Sequence, residues 1–227
     1  MGVVRSRYTD STCNEWSVNP NSRLWRAARA LWRLPERRLH PFRRRRALAR
    51  LRAGPLPQRV LVLCYGNICR SPYAAAMLEQ ELGRSKQTAF RVESAGFVGW
   101  GRPCPPVALE VAAAHGLDLS NHGSRPIALT AASVSDLILV MDRPQASAVR
   151  QIFGPAHRHV LMLGDLDPEP IDTREIRDPW EQPKEAYERC YARINRCVRQ
   201  LVSALADRDN RTSPRAPAPQ RRPELTT

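Results

Sequence analysis

A cysteine and an arginine with five residues between them, Cys64 and Arg70, stand where two segments of contrasting pattern meet. Val60-Leu61-Val62-Leu63 is an apolar run of strand length, and after Arg70 the chain continues Ser71-Pro72 into the Ala-rich stretch Tyr73 to Met77. A helix is expected there, with Pro72 in the first turn, where a missing N–H costs nothing. The amides of Tyr65, Gly66, Asn67, Ile68, Cys69 and Arg70 then lack strand or helix partners and are expected to converge as a concave nest. The helix dipole and the planar guanidinium of Arg70 add positive potential at the same point. Such a loop binds a tetrahedral oxyanion. Its field also favours thiolate over thiol at Cys64, so a nucleophile and an anion cradle share one turn.

The elements that must hold this turn follow from periodicity. Strands are expected at Val60–Cys64, Phe90–Ser94, Asp136–Met141 and His159–Leu163, alternating with helices over about Ser71–Leu82, Pro105–His115 and Pro144–Phe153. The continuous apolar run Leu137 to Val140 is that of a strand covered on both faces. Alternating elements imply an α/β fold of three layers, a four-stranded parallel sheet with helices on both faces, whose ligands bind at the carboxyl ends of the strands. Cys64 lies at such an end. Leu166 to Pro183 is a long Asp-, Glu- and Pro-rich loop, a length usually tied to function. Glu185 to Leu205 forms a last helix with Cys190 and Cys197 on its buried side, and 207–227 is read as a disordered tail.

The 227 residues carry a formal net charge of +14, unevenly placed. Residues 1–58 hold 14 Arg against 3 acidic residues, residues 59–206 hold 17 basic against 16 acidic, and the tail holds 5 against 3. The segments are therefore +11, +1 and +2, and the compact domain is nearly neutral. Arginine outnumbers lysine 34 to 2, a skew better explained by a GC-rich, bacterial genome than by nucleic-acid binding at every site. No run approaches the roughly 18 apolar residues of a membrane-spanning helix, and the first 20 residues lack a secretory core, so a cytoplasmic location with free thiols is expected. The histidines and cysteines show no metal-ligand spacing, and neither metal nor cofactor is expected.

Within the basic extension, residues 1–20 lack periodicity and are read as disordered. Residues 22–34 place Leu24, Trp25, Leu31 and Trp32 on one side and Arg26, Arg29 and Arg33 on the other, an amphipathic helix stopped by Pro35. Three readings stay open: peripheral contact with an anionic membrane through residues 22–52, a helix docked on the domain, or an over-extended gene start. Arg37-Arg38 and Arg43 to Arg46 read as a solvated Arg-rich linker, and nucleic-acid binding is a minor hypothesis because no reading motif accompanies them.

The loop Cys64-(five residues)-Arg70-Ser71-Pro72, with Ser94-Ala95-Gly96, His115-Gly116, Leu119-Ser120, Asp136 to Met141 and Asp178-Pro179 in order, resembles the low-molecular-weight protein tyrosine phosphatases over roughly residues 59–206. The resemblance implies hydrolysis of phosphotyrosine and small aryl phosphates through a phosphocysteine intermediate. Cys64 would be the nucleophile, Arg70 and the amides of residues 65–70 the phosphate ligands, and Asp178 the general acid and later base. Ser71 would donate to the Cys64 thiolate, Asn67 would hold the loop with support from Ser94, and Cys69 would form a protective disulfide with Cys64 under oxidation. Trp180 replaces the family's usual Tyr as one wall for an aromatic substrate; Trp100 or Tyr65 would be the other. His122 and Arg125 are assigned to structure, and Asp165, Asp167, Asp172, Glu169 and Glu175 to solvated loop charge.

The implied partner is a phosphotyrosine-containing protein such as a bacterial tyrosine kinase. Arsenate reductases share the fold, but tend to have Ser-Gln where Ser71-Pro72 stands and need resolving cysteines absent from Asp118–Met141. Protein arginine phosphatases carry Thr where this chain has Ile68. A non-enzymatic phosphate-binding module is the remaining alternative.

Overall fold

The computed structural model describes residues 23–85, 90–154 and 159–212, with side chains from Glu36 to Arg208 within them. The chain order is α1 (Arg23–Ala53), β1 (Arg59–Cys64), α2 (Arg70–Arg84), β2 (Arg91–Gly96), α3 (Pro106–Ala113), α4 (Leu129–Val134), β3 (Leu137–Val140), α5 (Arg143–Phe153), β4 (Val160–Met162), a 3-10 turn (Leu163–Leu166) and α6 (Lys184–Thr212). The four strands form one parallel sheet in the order β2-β1-β3-β4, with Val60 aligned to Val92 on one side and Leu137 on the other. This is the expected three-layer α/β arrangement.

The pleat sends alternate residues of β1 to opposite cores. Val60, Val62 and Cys64 pack with α2, α3 and α6; Leu61 and Leu63 pack with Ile138, Val140 and Val149 on the α5 side. Tyr73 and Tyr191 stack with ring centroids 3.6 Å apart in the first core, and Tyr73 Oη donates to Asn195 at 2.8 Å, so the buried hydroxyl is paired.

Three sequence expectations need correction. The helix predicted over 22–34 continues through Pro35 and Pro41 to Ala53, so residues 36–53 are not a solvated linker. The reason is tertiary: Ala47, Leu48 and Leu51 are buried in the α6-side core, Arg44 donates to Gln200, and His40 Nε2 meets the Asp167 carbonyl at 2.8 Å. That burial outweighs the backbone donors the prolines remove. Second, the tail expected from 207 begins as helix, because α6 runs on to Thr212; the disorder expected for 1–20 and 213–227 lies outside the described residues, as do the side chains of Trp25 and Trp32. Third, Asp165 and Asp167 are not solvated. Asp167 is 0% exposed and pairs with Arg193 at 3.0 Å and Arg196 at 2.9 Å, while Asp165 pairs with Arg174. Two guanidiniums and the amide of Glu169 satisfy this buried carboxylate.

The docking of α1 predicts the effect of truncating its buried face. Leu48→Ala should destabilise the whole domain by about 2–3 kcal/mol in urea unfolding, because the cavity opens between α1 and α6. A change under about 0.5 kcal/mol would mean that α1 does not pack there in solution.

Candidate active site

Cys64 ends β1 at its carboxyl edge, and the next five residues turn into α2. Asn67, in the middle of that turn, has φ of +49°, a left-handed conformation that asparagine tolerates better than most residues. Its fully buried side chain explains why the turn holds. Nδ2 donates to Ser71 Oγ at 2.8 Å and to Ser94 Oγ at 3.0 Å, and Oδ1 accepts from the Arg125 amide at 2.9 Å. Its carbonyl accepts from His122 Nε2 at 2.7 Å. Gly96 on β2 leaves room for this turn: a Cβ there would lie 2.8 Å from the Tyr65 carbonyl and 2.9 Å from Asn67.

Ser71, in the first turn of α2, donates through Oγ to Cys64 Sγ at 3.0 Å. The same hydroxyl accepts from Asn67 Nδ2, so the turn's asparagine orients the Ser71 hydrogen toward the sulfur. Arg70 is buried and its fork is aimed. Nη1 donates to the Ile176 carbonyl at 3.0 Å and lies 3.4 Å from Asp142 Oδ2, while Nη2 pairs with Asp178. Nε is buried without a hydrogen-bond partner.

The acid loop reaches this arginine because α6 holds it. Arg193 donates to the carbonyls of Thr173 and Glu175 at 2.7 and 2.8 Å while pairing with Asp167. The loop also lies across Gly164, where any Cβ would collide with the Arg174 carbonyl. Asp178 thereby sits at the mouth of a cavity of about 120 Å³, together with Cys64, Tyr65, Ile68, Cys69 and Trp180. Of the two residues expected as the second aromatic wall, Tyr65 lines this cavity; Trp100 is 75% exposed and is not among its lining residues.

Cys69 is buried, with Sγ 3.9 Å from Tyr187 Oη. Burial first, and then the nearby Asp178 charge, push its pKa up to about 12, so the thiol stays protonated at neutral pH.

Sequence reasoning missed Asp142, Gln145 and Arg102. Asp142 caps α5 by accepting from the Gln145 amide at 2.9 Å, and buried Gln145 returns Nε2 to Asp142 Oδ2 at 2.5 Å. The pair presents a fixed carboxylate to Arg70. An Asp two residues before Pro144 is a helix-start signal, but nothing local connects it to Arg70. Arg102 lies over the Trp180 ring, 5.5 Å from its centroid, and also lines the cavity. Its position comes from the exchange of backbone and hydroxyl bonds with buried Ser124, which no periodicity shows. Among the described residues no cluster of three His, Cys, Asp or Glu could hold a metal ion.

A family model described as low molecular weight phosphotyrosine protein phosphatase matches residues 59–211. The chain is 35% identical over 148 residues to the low molecular weight protein-tyrosine-phosphatase Wzb of Salmonella typhi, covering 65% of this chain and 93% of that protein. It is 30% identical to Etp of Escherichia coli, covering 65% and 94%. Among solved structures it resembles the tyrosine phosphatase amsI of Erwinia amylovora, with TM-score 0.61, 28% identity and coverage of 68% of this chain and 97% of that one. It also resembles Wzb of Vibrio vulnificus in complex with benzylphosphonate, with TM-score 0.57, 30% identity and coverage of 64% and 97%.

The loop's dependence on His122 carries a pH signature. Burial, and to a smaller degree the neighbouring Arg125 charge, lower the pKa of His122, and the Asn67 carbonyl opposes this. The folded state therefore resists protonation. Stability should be full above about 6.5, the ordinary histidine value, and fall as pH drops through the lowered folded value. Thermal unfolding of His122→Gln should show a flatter profile than wild type below about pH 6.5; parallel profiles would remove His122 as the cause.

Proposed function

Because this chain belongs to the low molecular weight phosphotyrosine protein phosphatase family, we propose that it hydrolyses phosphotyrosine, and small aryl phosphates, through a phosphocysteine intermediate. The Cys64 thiolate attacks phosphorus in line while Asp178 protonates the departing phenolic oxygen. The same carboxylate, now ionised, then takes a proton from the water that attacks the phosphocysteine. The amides of residues 65–70 and the Arg70 fork carry the equatorial oxygens, and Ser71 stabilises the sulfur as leaving group. The observation behind this reading is the convergence of Cys64, from the end of β1, and Asp178, from a loop 114 positions later, on one cavity.

Asp178 occupies one arm of the Arg70 fork. A bound phosphoryl group competes for that arm, releases the carboxylate toward the leaving oxygen, and finds the other arm already fixed by Ile176 and Asp142. Trp180 and Tyr65 flank the opening and suit a flat ring, in keeping with the benzylphosphonate named for the Vibrio relative. Ile68, buried at the cavity where the arginine phosphatases have Thr, makes the phosphotyrosine reading preferable to the phosphoarginine one. The substrate is then a tyrosine-phosphorylated protein, a bacterial tyrosine kinase being the first candidate given the relatives' bacterial sources.

Oxidation offers a regulated state. A peroxide converts the Cys64 thiolate to a sulfenic acid; the Cys69 sulfur displaces its hydroxyl, which leaves as water with the Cys69 proton, and a disulfide closes. With p-nitrophenyl phosphate as substrate, Cys64→Ser should abolish turnover and Asp178→Asn should lower kcat by about 10²–10⁴-fold. After peroxide, wild type should regain activity with dithiothreitol and Cys69→Ser should not. Undiminished turnover in Cys64→Ser would end the enzymatic reading; equal recovery in Cys69→Ser would end only the protective one.

Among the described residues no helix is long and apolar enough to cross a membrane. Peripheral contact through residues 22–52 narrows to the Trp25–Trp32 half, since the apolar side of 47–51 is spent on the domain. Full-length protein should float with vesicles containing anionic lipid, and Trp25→Ser with Trp32→Ser should halve the floated fraction or better. Equal flotation removes the membrane reading.

A further inference from the structure

A groove of about 640 Å³ runs along the outer edge of β4, between α1 on one face of the sheet and α5 on the other. Its floor is mostly apolar, with Val160, Leu161, Met162, Ala47 and Ala146, and its polar lining is Ser147 and the carboxylate of Asp165, which is already paired with Arg174. Its rims are arginine, with Arg43, Arg46 and Arg50 along α1 and Arg143 and Arg150 along α5. Glu36 ties the two walls together by pairing with both Arg43 and Arg143. Among the described residues no salt bridge engages Arg46, Arg50 or Arg150, and no strand pairs with the outer edge of β4. Leu39 and Phe42, 45% and 65% exposed, extend the apolar floor outward.

From this we propose that the groove is a docking site for an acidic, extended segment of a partner protein, which adds as a strand to the edge of β4 while its carboxylates meet the arginine rims. An open edge offers unpaired backbone donors and acceptors to an incoming strand, and β4 presents about 10 Å of it. A concave groove admits a single extended chain and excludes a flat bilayer surface. Charge decides among the remaining occupants. Residues 1–22 carry two Arg and two acidic residues, and 213–227 carry three Arg and one Glu, so neither of the chain's own ends complements the rims. A second copy, at +14, is repelled. The match to the phosphatase family begins at residue 59, so the α1 wall lies outside the matched region.

The proposal is independent of the catalytic reading and is tested by fluorescence anisotropy on the full chain. The probe is a labelled octapeptide alternating glutamate and valine, with a lysine–valine octapeptide for the opposite charge. The acidic peptide should bind and the basic one should not. Arg46→Glu with Arg50→Glu and Arg150→Glu should weaken binding at least tenfold, while Arg84→Glu with Arg91→Glu and Arg189→Glu, equal in charge change but away from the groove, should weaken it less than threefold. Methylating alternate backbone nitrogens of the acidic peptide should weaken it at least fivefold, a loss that simple charge attraction does not produce. Circular dichroism and the thermal midpoint establish that each variant is folded. No binding of the acidic peptide, equal loss in both triple variants, or indifference to N-methylation would each overturn the proposal. So would displacement of the bound peptide by duplex DNA or anionic vesicles in both triple variants alike, which would make the surface a diffuse polyanion site.

Discussion

The site depends on one backbone torsion. Asn67 is held at a positive φ, which a non-glycine residue adopts at a cost of about 1 kcal/mol or more. Five contacts offset that cost: Ser71, Ser94, the Arg125 amide and His122 bind the residue itself, and the bare Cα of Gly96 gives it room. If the turn relaxed, Ser71 would leave the sulfur. The course of the loop after Cys64 and the hydrogen bond to its sulfur therefore share a cause, and it lies on three elements: β2 contributes Ser94 and Gly96, α2 contributes Ser71, and the loop after α3 contributes His122 and Arg125.

The acid side of the site is built differently, by burial of charge. Asp167 is enclosed and pairs with Arg193 and Arg196, and Arg193 places its two other guanidinium nitrogens on two carbonyls of the acid loop. A buried carboxylate between two guanidiniums adds little net stability, but breaking it leaves an uncompensated charge. Its effect here is positional. It fixes the course of a seventeen-residue loop, 167–183, that has no secondary structure to hold it, and so fixes where Asp178 lies relative to Arg70. The same carbonyl-rich corner receives His40 of α1, which ties the basic helix to the loop that carries the proposed acid.

Charge is thus divided by function. The domain around the site, residues 59–206, is close to neutral. The excess positive charge lies mainly on α1, facing Arg143 and Arg150 of α5 across the groove, where the proposed acidic segment would meet it.

The amino-acid sequence determined the parts whose information is local. The apolar run of β1, the turn from Cys64 to Arg70 and the Ala-rich start of α2 are contiguous, so pattern and spacing specify them; the parallel sheet followed from the alternation of strand and helix signals. Asp178 could be named only because an Asp-Pro-aromatic pattern stood in the expected order, since nothing near it in the chain separates it from its acidic neighbours. The tertiary structure decided the rest. Which carboxylates of the acid loop are buried, that Asp142 and Gln145 orient Arg70, that Arg102 lies on Trp180, and that an arginine-rich run containing Pro41 remains helical all depend on partners between 3 and 127 positions away. Charge and composition showed where the arginines were. Only packing showed that the opposite side of their helix, Ala47, Leu48 and Leu51, was part of the core, because burial is a property of the neighbours a residue meets and not of its own place in the chain.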